Sequence, residues 1–107
     1  MIVACCSMNI FAASESSFDT TIERISTYSD FGNGDVAFWL SNNEGKACYG
    51  YWMSPTFKGF DANFSTLLSA YHSNSSLVIY GKLGDENKWS GSSSNHYCKV
   101  EVIVLKK

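Results

Sequence analysis

The sequence predicts an all-β domain with a single helix late in the chain. Three observations carry this: short apolar segments separated by Gly, Asn and Asp clusters, one stretch of helical periodicity beginning at Phe60, and a length that holds one core. At 107 residues with no shift in composition along the chain, one domain is expected. A domain of this size buries a smaller share of its surface than a large one does, so its core is thin and a covalent staple carries weight. An aromatic content of 15% helps to fill it.

The elements follow in order. Thr20 to Tyr28, rich in Thr and Ile, reads as a strand, and Asp30-Phe31-Gly32-Asn33-Gly34-Asp35 supplies hairpin turn chemistry. In Val36 to Leu40, Val36, Phe38 and Leu40 share one face while Ala37 and Trp39 share the other. Asn42-Asn43-Glu44-Gly45 turns the chain into a third strand, Ala47 to Met53, where Gly50 marks an expected bulge or bend, and Ser54-Pro55 ends it. Phe60, Phe64, Leu67, Leu68 and Tyr71 then recur at helical spacing against Asp61, Asn63, Ser65 and Ser69, with Asn74 placed to close the helix in the left-handed conformation. Leu77 to Tyr80 is the fourth strand, a polar loop carries Trp89, and Tyr97 to Leu105 is the fifth.

The resulting order, β-β-β-α-β-β with the helix between strands three and four, is that of a five-stranded OB-fold barrel. The cysteines give an independent check. Met1 to Ser14 carries no charge and runs through Ile2, Val3, Ala4, Cys5, Cys6, Met8, Ile10 and Phe11 to small residues, which reads as the apolar and cleavage regions of a secretory signal cut before Glu15. The run is shorter than the about 20 apolar residues that span a bilayer. No Lys or Arg precedes it, so the expectation includes a basic start upstream of Met1; a buried first strand or helix is the alternative. Residues 15–107 then form one secreted or periplasmic domain that keeps Cys48 and Cys98, two cysteines that in an oxidising compartment predict one disulfide. They stand near the starts of the third and fifth strands, which are neighbours in an OB barrel.

Composition narrows the function. Eight basic and ten acidic residues give a net charge of -2, the opposite of the basic stripe a nucleic-acid partner requires. His72 and His96 share no ligand spacing with each other or with the cysteines, so no metal is expected, and neither accompanies a nucleophile motif. Gly32-Asn33-Gly34 is a hairpin turn rather than a phosphate-cradling loop, and no cofactor is expected. The reading is a binding module rather than an enzyme.

The chain also resembles small secreted bacterial proteins similar to the B subunit of subtilase cytotoxin. The resemblance spans Phe18 to Leu105. It is carried by Ile22 to Tyr28, Cys48-Tyr49-Gly50-Tyr51-Trp52, Phe64-Ser65-Thr66-Leu67-Leu68, Leu77-Val78-Ile79-Tyr80-Gly81, and Trp89-Ser90-Gly91-Ser92-Ser93 leading to Tyr97-Cys98. It implies an exported OB-fold with a structural disulfide, assembled as a ring pentamer whose face binds host-cell glycans. Two positions of the toxin's sialic-acid site differ: Asp19 stands where the subunit has a serine and would repel the sugar's carboxylate, and Gly81 stands where it has a tyrosine. The two departures speak against sialic acid and leave another sugar open, with Ser16 and Ser17 close by.

Flat rings stack on sugar faces or fill partner pockets at low entropic cost, which makes Trp39, Tyr49, Tyr51, Trp52 and Trp89 the candidate binding residues, together with Asp19. Trp52 and Trp89 are weighed mainly as packing residues, while Trp39 and Tyr51 are expected to point outward. With only 17% charged residues to cover them, such rings predict self-association. Two functions follow: a glycan- or receptor-binding module, such as the delivery subunit of a toxin, or a periplasmic inhibitor of another protein, such as an immunity factor.

Overall fold

The computed structural model describes residues 13–106, so residues 1–12 of the expected 1–14 signal lie outside the described residues, while Ala13 accepts the Leu83 N–H through its carbonyl and Ser14 opens the first strand. The chain forms β1 (Ser14–Ser16), β2 (Ile22–Thr27), β3 (Val36–Leu40), β4 (Gly50–Met53), α1 (Phe60–Ser73), β5 (Leu77–Lys82) and β6 (Tyr97–Leu105), with a short 3-10 turn at Asp85–Asn87. All six strands join one sheet in the order β1-β5-β6-β4-β3-β2. Every neighbouring pair is antiparallel except β4 with β6.

Six strands stand where five were expected, and the helix follows the fourth. The additional strand is Ser14–Ser16, which has no apolar residue and so no periodicity to announce it. It is held as a strand by its ladder to β5, Glu15 opposite Gly81 and Ser16 opposite Tyr80. The fifth predicted strand, Tyr97 to Leu105, has the observed bounds. Residues 47–49 were expected at the start of β4 but lie outside the ladder. Their N–H groups go instead to the Glu15 carboxylate (Ala47, 2.8 Å; Cys48, 3.0 Å) and to the His96 carbonyl (Tyr49, 2.9 Å).

The sheet curls on itself. β1 and β2 sit at its two ends, yet only residues 17–21 separate them in the chain. Within that connection Thr20 and Leu77 exchange two backbone hydrogen bonds, of 3.1 and 2.8 Å, which close the gap between β2 and β5. The inner face is apolar: Val36, Phe38, Leu40, Tyr51, Met53, Leu77, Ile79 and Val100 form the core with the Cys48–Cys98 disulfide, both half-cystines fully buried and their Cα atoms 5.5 Å apart. Helix α1 covers this core with Leu67 and Ala70, flanked by the stacked rings of Phe60 and Phe64. As the sequence predicts, Asn74 ends the helix in the left-handed conformation (φ 54°), while the Ser75 N–H bonds the Ala70 carbonyl.

Two expectations are corrected. Tyr51, expected at the surface, is fully buried and stacks on Phe38 at 5.6 Å. The register explains it: Tyr51 lies directly opposite Phe38 and beside Cys98, and residues paired across a ladder share a face, so Gly50 and Trp52 take the outside. Gly50 is no bulge. The ladder irregularities fall instead between Ile22 and Arg24 and between Tyr80 and Gly81.

Burial pushes the Tyr51 phenol up to about 12, the Asn43 side-chain amide donating to its hydroxyl (3.0 Å) pulls against that, and the nearby Glu15 charge adds to the rise. Above its ordinary value of 10, the unfolded chain releases this proton while the folded chain keeps it, so the native state binds more protons and stability falls as pH rises. The contribution is intact below pH 10, and about 2–3 kcal/mol is lost by pH 12. Denaturant unfolding at stepped pH should show this decline, and Tyr51→Phe should flatten it. An identical slope in the variant would assign the decline to other groups.

Candidate aromatic binding site

The outer face of the sheet holds a run of rings. Arg24 pairs with Trp39 across β2 and β3, and its guanidinium lies 4.7 Å from the centre of the indole. Tyr97 on β6 pairs with Gly50 on β4. A Cβ at Gly50 would stand 2.6 Å from the Tyr97 ring and 2.9 Å from the Phe38 carbonyl, so only glycine lets Tyr97 lie across β4 towards Trp39, 6.4 Å away. Tyr49 completes the group at 5.7 Å from Tyr97 and 6.3 Å from Trp39. The disulfide accounts for this meeting: Tyr49 follows Cys48 and Tyr97 precedes Cys98, so joining the cysteines brings their neighbours together.

On the other side of Tyr97, Trp89 packs at 5.4 Å from it, 5.5 Å from Tyr28 and 5.4 Å from Phe31. Trp89 is buried, its indole N–H donating to the buried Asp35 carboxylate at 2.9 Å and its backbone N–H to the Tyr97 carbonyl at 3.0 Å. Its ring lies over Gly91, where a Cβ would fall 2.7 Å from it, which gives the Trp89-Ser90-Gly91 sequence its physical sense. Tyr28, Phe31 and Tyr49 are between 41% and 47% exposed, so the array offers solvent two open ends joined by a packed centre. Burial raises the pKa of the Tyr97 phenol, as do the adjacent Tyr49 and Tyr28, while Arg24 lowers it.

A cleft of about 470 Å³ opens over Trp39 and Tyr49. One wall is the loop of residues 43–47 and the other is residues 94–96, so Lys46, Ser94 and Asn95 stand around an aromatic floor. His96 also lines it; its Nε2 is buried and has no hydrogen-bond partner among the described residues. The loop is braced by side chains rather than by a ladder. Asn43 donates to the Cys48 carbonyl (2.9 Å) and to Tyr51, and its own carbonyl accepts from the Phe18 N–H (3.4 Å). Such a site, an aromatic surface with a few polar groups at its edge, suits a ligand with one flat apolar face and hydroxyls around it.

Of the residues singled out in the sequence, Trp39 is in the floor, Trp89 is the packed centre of the array, and Cys48 and Cys98 form the bridge beneath it. Asp19 is exposed, pairs with Lys106 at 3.2 Å, and does not line the cleft. Trp52 is outward but apart, donating its indole N–H to the Asn87 carbonyl at 2.9 Å and packing on Phe57 in a separate, smaller cleft. Tyr51 is in the core. Sequence reasoning missed Arg24, Tyr28, Phe31 and Tyr97 as members of the array. Tyr97 could have been found from its place beside Cys98, on the face opposite to the cysteine.

Among the described residues no group of three His, Cys, Asp or Glu side chains converges to hold a metal, and no helix is long and apolar enough to cross a membrane. No protein-family model matches the chain, and no curated protein matches it.

Proposed function

We propose that the protein is an exported, non-enzymatic binding module that takes carbohydrate on the Trp39–Tyr49 floor, with Tyr97 packed beside both rings. The observation that carries this reading is the exposed aromatic array opening into a polar-rimmed cleft. Strand order supports an OB-type barrel. With β1 set aside, the sheet runs β5-β6-β4-β3-β2, its parallel pair is β4 with β6, and its seam is the Thr20–Leu77 bridge. In that fold the outer face of the second and third strands, with the loops flanking it, is the surface that receives oligosaccharides and oligonucleotides. The acidic balance favours the sugar. Export is supported by the buried disulfide, a bond that persists in oxidising compartments.

A second surface supports binding to protein. On the outer side of β5 and β6, Tyr80 stands opposite Val102 and Val78 opposite Val104, and Tyr80, Val102 and Val104 are 39–44% exposed. Self-association, expected from Trp39 and Tyr51, moves to this face because Tyr51 is buried; a closed ring in keeping with the subtilase-cytotoxin resemblance would use it as one of two patches, with capture of another protein as the alternative.

A glycan array run beside size-exclusion chromatography tests both. Retention of a defined glycan, weakened at least tenfold by Trp39→Ala with the melting temperature held, is the expected result. An array with no retained glycan would sink the carbohydrate reading, and a monomer at high micromolar concentration would sink the ring.

A further inference from the structure

We infer that Glu15 is a positioning residue for the cleft: from the N-terminal strand its carboxylate latches the loop that forms one wall and leads into the floor. The latch is bidentate. One carboxylate oxygen accepts the Ala47 N–H at 2.8 Å and the other accepts the Cys48 N–H at 3.0 Å. Charge-assisted bonds of this kind are about twice as strong as neutral ones, and two to one carboxylate fix orientation as well as distance.

The loop needs such a hold. From Asn42 to Tyr49 no residue belongs to a strand, and Gly45 adopts φ +87° within a turn closed by the Lys46 N–H on the Asn43 carbonyl. Lys46 and Ala47 line the cleft and Tyr49 is part of its floor. The backbone bond from Tyr49 to His96 sets the far end of this segment, and Asn43 braces the near side. Between them the Ala47 and Cys48 N–H groups both go to Glu15, while Cys48 is also held through its carbonyl by Asn43 and through its sulfur by Cys98. Glu15 is itself fixed by β1, whose ladder places it opposite Gly81. Positions 15 and 47–49, distant in the chain, thus form one mechanical unit, in which docking of the N-terminal strand sets the shape of the cleft wall.

A consequence concerns processing. A cut before Glu15, as expected from the sequence, keeps the latch, whereas a cut after it removes the group that holds the loop.

The functional weight of the latch rests on the carbohydrate reading, but its test uses no ligand. Amide hydrogen exchange is measured by NMR on the wild type, Glu15→Ala and Glu15→Gln. In Glu15→Ala, exchange at Ala47 and Cys48 should quicken at least tenfold, and the ring-to-ring Overhauser contacts between Tyr49 and Tyr97 should weaken, while the Phe38 and Val100 amides in the core keep their rates. Glu15→Gln has one acceptor oxygen and should restore protection at one of the two amides only. This graded rescue is what a merely stabilising residue would not give. Unchanged exchange at Ala47 and Cys48 in both variants overturns the latch, and so does an equal loss at Phe38 and Val100, which would mark a global rather than a positioning effect. An array without a glycan leaves the latch standing, whereas unchanged exchange removes it whatever the array shows.

Discussion

Replacing Cys48 and Cys98 together by alanine is expected to lower the unfolding free energy by about 4 kcal/mol, the chain-entropy figure for a loop of this length. The two residues lie 50 apart in sequence and are both fully buried, so their removal lengthens the accessible unfolded chain and also takes sulfur contacts out of a thin core. That is a large fraction of the stability of a single domain. Denaturant unfolding of the double variant beside the wild type measures it, and the unreduced wild type should show no free thiol at these positions. A loss below about 1 kcal/mol would mean that the unfolded chain is already restricted without the bond, so that the bond removes little entropy from it.

The second large effect is expected at Trp89. Trp89→Ala removes the ring that touches Tyr28, Phe31 and Tyr97 and should cost about 3–5 kcal/mol. Part of that is polar: Asp35 is only 3% exposed and loses the indole N–H that bonds its Oδ2. Trp89→Phe separates the two terms, since it keeps an aromatic ring in place but leaves Asp35 without that donor, a penalty of about 1–3 kcal/mol. Thermal and chemical unfolding of both variants provide the comparison. If Trp89→Phe matches the wild type, Asp35 is satisfied by water and the indole N–H is dispensable. In Trp89→Ala the Tyr28–Phe31 end of the array should also come apart from the Tyr49 end, seen as loss of Overhauser contacts to Tyr97.

Much of the fold was legible because period and turn chemistry are local. The helix Phe60–Ser73 with its Asn74 cap, β3 and β6 all carry their own patterns, and the cysteines lie on segments that the strand order makes neighbours. β1 was not legible, because Ser-Glu-Ser becomes a strand only through the β5 edge it meets. The burial of Tyr51 was missed for a related reason. In Gly50–Met53 either pair of alternating residues could serve as the core face, and the choice is made by the partner strand through Phe38. The candidate site was half legible: Trp39 could be placed outward from within its own strand, but Tyr97 and Tyr28 gain their meaning from contacts with rings far away in the chain. Trp89 and Gly91 could be noticed as a pattern; the fold of the indole back over Gly91 could not be read from it.

The seam at Thr20 and Leu77 has a kinetic side. Ser16 meets Tyr80, Thr20 meets Leu77 and Gly50 meets Tyr97, so a large part of the ladder joins segments that are remote in sequence, and loop-closure entropy must be met before these contacts can reward it. Topologies dominated by such pairings fold on the millisecond-to-second scale rather than in microseconds. During that interval β6, with its Val-Glu-Val-Ile-Val-Leu run, is an unpaired strand of high β-propensity. Oxidation of Cys48 with Cys98 at an early stage would shorten the search by holding β4 beside β6 while the remaining strands arrive. Formed that early, the staple beneath the aromatic floor would act as a guide for assembly as well as a tie in the finished sheet.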